Sequence, residues 1–112
     1  MEKRIVEITQ TALADMEEIY DYIADVLLAP ENAMGQYNRI ADAILTLESN
    51  PERCPFFEAE PEQSWRMRRM VIDNYLVCYI VDQDKVTVTD VLYGASNVHV
   101  RLKARHMSEP DT

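Results

Sequence analysis

The chain has 112 residues, 47% of them hydrophobic, with a formal net charge of -9 at pH 7. That is enough for one domain with one ordinary core, and no apolar run reaches the roughly 18 residues needed to cross a bilayer. An acidic exterior with a pI near 4.6 excludes a protein that coats nucleic acid with its whole surface.

KRIVEI (3–8) predicts a first strand, and Thr9 or Thr11 offers the hydroxyl of a helix N-cap. In the helix that follows, Leu13, Met16, Tyr20, Ile23 and Leu27 recur at steps of three and four, with acids between them. Pro30 ends it and opens a second helix with Ala33, Tyr37, Ile40, Ile44 and Leu47 on one face, so the pair predicts an antiparallel hairpin. Tyr20, Tyr22 and Tyr37 read as core and rim packing. NPERCPFFEAEPEQS (50–64) is loop chemistry in which Phe56 and Phe57 tuck against the core and Glu58, Glu60 and Glu62 are expected in solvent. RMRRMVI, YLVCYIVD and KVTVTDVLY follow, separated by the turn pairs DN and QD, and connections this short allow only an antiparallel meander. NVHVRLKARH reads as a short final helix or an extended arm, with Arg101, Lys103 and Arg105 in solvent, and 107–112 as a frayed terminus. A single α+β domain spanning 1–106 is therefore expected.

Charge is unevenly spread. Residues 1–62 hold fourteen acids against Lys3, Arg4, Arg39 and Arg53, whereas Arg66, Arg68 and Arg69 crowd in just before the most apolar strand. That strand, Tyr75 to Val81, is apolar at nearly every position, so both its faces need covering, and the hairpin covers only one. In the last strand, strict alternation from Val86 and Val88 buries Asp90 and exposes Tyr93, while a bulge near Asp90 is expected to reverse both. Cys54 and Cys78 have neither metal-ligand spacing nor the density of a disulfide scaffold, and both read as reduced thiols. The N-terminus MEKRIVEITQ lacks the apolar centre of a signal peptide, so a cytoplasmic location is expected.

The order of these elements, with DMEEIYDYIA (15–24), PENA (30–33), ILTLESNPERCP (44–55), RRMVIDNYLVCYIVD (68–82) and VLYGASN (91–97), resembles the RelE/ParE superfamily of toxins from type II toxin–antitoxin systems, also called plasmid-stabilisation proteins. The resemblance runs from about Ile5 to Asn97. It implies a β-α-α-β-β-β(-α) fold, a helical hairpin on a small, mostly antiparallel sheet. It also implies a small cognate antitoxin whose disordered segment wraps over the toxin, in a homodimer or a heterotetramer with it. The RelE branch cleaves messenger RNA on the ribosome without a metal or other cofactor, and the ParE branch inhibits DNA gyrase without being a nuclease.

Cutting RNA through its own 2′-hydroxyl needs a base, a cation on the phosphate and an acid for the leaving oxygen. Arg68, best aligned with the superfamily's arginine, then Arg69, are the candidate phosphate ligands, and Tyr93 falls where that branch places a histidine or tyrosine. Strand alternation puts Arg66 and Arg68 on one face and Arg69 on the other. Arg66, Tyr75, Tyr79, Arg101 and Lys103 are candidate contacts for nucleic acid or antitoxin. The chain departs from the pattern at Ile80 and at Gly94, Ala95, Ser96 and Asn97, where relatives often carry arginine or an arginine–aspartate pair. His99 and His106 lie outside the superfamily's catalytic position, so no role is assigned to them. Three readings follow: a ribonuclease favoured by Arg68 and Tyr93, a gyrase inhibitor, and a toxin-like module that keeps antitoxin binding alone.

Overall fold

Thr9 opens the first helix as its position predicts: the Oγ1 accepts from the Ala12 amide at 3.1 Å and donates to the Thr89 carbonyl at 3.2 Å. The computed structural model describes residues 3–94 and 97–106; Ala95, Ser96 and the expected frayed terminus lie outside them. Strand β1 (Ile5–Ile8) leads into α1 (Gln10–Asp21), a π-helical turn (Tyr22–Val26) and α2 (Pro30–Leu45). Two short 3-10 turns and a loop then lead to β2 (Arg68–Ile72), β3 (Tyr75–Val81), β4 (Lys85–Tyr93) and α3 (Val98–His106). The sheet order is β1-β4-β3-β2, antiparallel in the meander and parallel where β1 joins β4.

The hairpin covers one face. Ala12, Met16, Ile40, Ile44 and Leu47 pack on Met70, Val77, Tyr79, Val86, Val88 and Val91. Leu13 and Leu27, expected in this stripe, are instead 40% and 56% exposed. The buried stripe of α1 runs through Ala12, Asp15 and Met16, and the π turn closes Leu27 N–H onto the Tyr22 carbonyl, rotating the hairpin tip outward. Tyr22 goes with it into solvent, while Tyr20 and Tyr37 meet edge to face at 6.2 Å.

The other face is not left open. The tail is a helix, and α3 lays Leu102, fully buried, on Phe57, Met67, Cys78 and Leu92 in a second core. Burying such a leucine contributes about 2 kcal/mol. A bulge at Thr89 makes this two-sided arrangement possible: Cys78 pairs with Asp90 but Tyr79 with Val88. The extra residue turns Asp90 and Leu92 toward α3 and Val91 toward the hairpin. Asp90 is therefore buried and Tyr93 exposed, contrary to the reversal expected of a bulge, because each face of β4 has its own cover.

Candidate functional site

The three arginines divide between two places, Arg66 and Arg68 at Phe56 and Arg69 near Phe57. Arg66 precedes β2 in the left-handed region (φ 59°), and its guanidinium lies 5.1 Å from the Phe56 ring centre. Arg68 stacks on the same ring at 3.9 Å and donates to the carbonyls of Glu52 (3.1 Å) and Cys54 (2.7 Å). It is thereby fixed to the turn that leads out of the hairpin. Tyr79, its cross-strand partner, is fully buried and donates to the Pro51 carbonyl at 2.7 Å, and burial raises its hydroxyl pKa. The expectation of Tyr79 at a binding surface is therefore corrected: it anchors the 3-10 turn from below.

Arg69 points to the α3 side. Its guanidinium lies 6.0 Å from the Phe57 ring centre, and although its backbone amide donates to the Pro55 carbonyl, its side chain makes no ion pair or hydrogen bond among the described residues. Tyr93, 47% exposed, meets Tyr75 edge to face at 5.7 Å, and burial raises the Tyr75 hydroxyl pKa. In register, Arg68 lies opposite Tyr79 and Tyr93 opposite Tyr75, so Arg68 and Tyr93 are four residues apart along β3, roughly 13 Å at about 3.3 Å per residue. Those two do not form one site. Arg69 and Tyr93 do share one, a cleft of about 570 Å³ lined also by Phe57, Glu58, Tyr75 and His99.

Two expectations are overturned in the α3 layer, those that placed Glu62 and Arg105 in solvent. Glu62, expected in solvent, is fully buried, its Oε2 lying 3.0 Å from His99 Nδ1 and its Oε1 without a partner. Asp90 is equally buried, taking Arg105 at 3.0 Å and His106 at 2.9 Å. Arg105, expected in solvent, also grips Asp15, and that carboxylate raises its pKa further. No sequence signal marks Glu62; the partners 37 residues apart meet only after α3 docks. Lys103 is exposed, and Arg101 borders a second, larger groove of about 1080 Å³ between the hairpin and the sheet end, with Tyr22, Leu27, Arg39, Tyr75 and Tyr93. Burial also raises the Cys78 thiol pKa, which keeps it a neutral core group.

A family model described as the ParE toxin of the type II toxin–antitoxin system, parDE, matches residues 6–98. The chain belongs to the ParE toxin family. A chain from the chromosomal ParDE TA system of P. aeruginosa shares the fold with a TM-score of 0.68 at 19% identity, over 81% of this chain and 96% of that one. Among curated proteins none matches. As a ParE-family toxin the protein has a cognate antitoxin as its partner. Among the described residues no helix is long and apolar enough to cross a membrane.

Proposed function

We propose that this toxin arrests growth by binding DNA gyrase in the cytoplasm rather than by cutting messenger RNA, and that the antitoxin masks it. The observation that carries this reading is the fate of Arg68. This guanidinium spends Nη1 on two main-chain carbonyls and its face on Phe56, which fixes it to the 3-10 turn and leaves only Nε and Nη2 for a phosphate. It also lies four residues along β3 from Tyr93, roughly 13 Å at about 3.3 Å per residue. The match to the ParE toxin family model supports the same reading.

The antitoxin segment would lie in the groove between hairpin and sheet end, where Tyr22, Leu27 and Tyr75 offer apolar area and Arg39 and Arg101 line the wall. The toxin domain would span 1–106, and the complex would be a heterotetramer. Ribonuclease activity is the second reading, favoured by the shared cleft of Arg69 and Tyr93.

Induction of the chain in a bacterial host, alone and with its antitoxin, tests both. Lost supercoiling with intact message is expected, with growth restored by the antitoxin. Cleaved message in cells and with purified toxin, abolished by Arg69→Ala but retained by folded Arg68→Ala, would instead establish the second reading. Normal growth with soluble, folded toxin would reject both in favour of an inert module.

A further inference from the structure

The tip of the helical hairpin departs from what folding alone favours. Residues 5–38 contain no lysine, arginine or histidine. Glu7 pairs with Lys85 and Asp15 with Arg105, which leaves Glu17, Glu18, Asp21, Asp25 and Glu31 exposed, with no side-chain partner among the described residues. Glu17 and Asp21 stand four residues apart on α1, where like charges repel, and Asp21 sits at the negative end of the helix dipole with no base in the last turn. Among these acids Tyr22, Val26, Leu27 and Leu28 are all exposed. Leu28 is 80% exposed and holds φ 55°, a left-handed backbone that glycine or asparagine adopts with far less strain. A leucine there has neither burial nor an easy backbone, so its side chain is left for a contact outside the domain. On the hairpin's flank a hollow of about 300 Å³ is lined by Glu17, Asp21, Tyr20, Tyr37 and Met34. Two carboxylates beside two rings and a thioether suit the cationic head and aliphatic stem of a lysine or arginine.

We propose, on the reading of this toxin as a gyrase inhibitor, that the hairpin tip is the surface that meets gyrase, docking on a patch where lysines and arginines surround an apolar pocket. Leu28 enters the pocket with Val26 beside it, and a basic side chain of the partner fills the hollow at Met34. Charge complementarity favours this occupant. An enzyme that holds a DNA duplex carries cations for its phosphates, whereas a second copy of this chain brings the same acids and is repelled. Tyr22, Leu27 and Glu31 also line the groove given above to the antitoxin, so an occupied groove covers the near side of the tip.

Biolayer interferometry of purified gyrase on the immobilised toxin, at low and at high salt, tests this, with the melting temperature and the inhibition of supercoiling recorded for each variant. Binding that weakens as salt rises is expected. Leu28→Asn should weaken it by about tenfold or more without lowering the melting temperature, because asparagine tolerates the left-handed backbone. Asp21→Lys should weaken it by about threefold or more, again without lowering the melting temperature, since the repulsion with Glu17 is removed. Asp42→Lys makes the same charge change at an exposed position of α2, roughly 18 Å from Pro30 at about 1.5 Å per residue, and should leave binding unchanged. Gyrase binding indifferent to salt, to Leu28→Asn or to Asp21→Lys would overturn the proposal and leave the gyrase reading standing. An equal loss in Asp42→Lys would do the same, because it marks net charge rather than a surface. No binding of gyrase by the folded parent would remove both.

Discussion

Arg105 and Asp15, ninety residues apart in sequence, meet in a two-pronged contact, Nη1 to Oδ2 at 2.7 Å and Nη2 to Oδ1 at 2.8 Å. The same Asp15 Oδ2 accepts the Val91 amide at 3.0 Å. β1 pairs with β4 only as far as Val88, which leaves the last part of that edge without a neighbouring strand. Thr9 and Asp15 take over there, and Arg105 reaches from α3 to neutralise the acid. One guanidinium thus ties both layers to the sheet.

Removing it leaves Asp15 buried without its cation and Asp90 with His106 alone, so Arg105→Ala is expected to cost on the order of 3–5 kcal/mol. Urea unfolding at neutral pH measures it. Arg105→Lys should recover part of the loss, because a lysine reaches one acid but lacks the planar fork.

The α3 layer gives a second test. Leu102→Ala opens a cavity among Phe57, Met67, Cys78 and Leu92 and should destabilise by about 2–5 kcal/mol. Proteolysis should then cut first at α3 if the helix detaches, and the hairpin should resist longer.

How much of this was readable beforehand differs between the two faces of the sheet. Ala33, Ile40, Ile44 and Leu47 repeat at helical spacing, and the meander turns carry DN and QD, so hairpin, meander and their common core followed from periodicity. α3 offers little stripe beyond Val98 and Leu102, with charges on most other positions, and that pattern does not separate a docked helix from a solvated arm. The candidate site suffered more. Arg68 had the right type and place for a phosphate ligand, but only tertiary contacts reveal that the Glu52 and Cys54 carbonyls hold it. Glu62 sits among exposed acids in sequence and is set apart only by its contact with His99.

Acid should expose the Asp73 contribution. The Arg39 hydrogen bond, then that of Gln36, holds its carboxyl below the usual value of 3.8. A lowered folded pKa means the stabilisation is present above the unfolded pKa and is lost as pH falls through the folded one. Asp73→Asn should therefore be less stable than the parent at pH 7 and equal to it once both carboxyl forms are protonated. Asparagine tolerates the left-handed backbone at this position (φ 55°), so the comparison reads charge rather than strain. Urea midpoints at neutral and strongly acidic pH decide it.

Arg68 and Tyr79 allow structure to be separated from activity at the other end of the sheet. Tyr79→Phe leaves the buried Pro51 carbonyl without its donor and should cost about 1–3 kcal/mol; Arg68→Ala removes two charged-donor hydrogen bonds to the same turn and should cost a similar, roughly 1–3 kcal/mol amount. If Arg68 serves the fold alone, toxicity should fall in both variants only in proportion to the folded fraction, and adding stabilising osmolyte should restore inhibition of purified gyrase. A fully folded Arg68→Ala protein without toxicity would return this arginine to the functional surface.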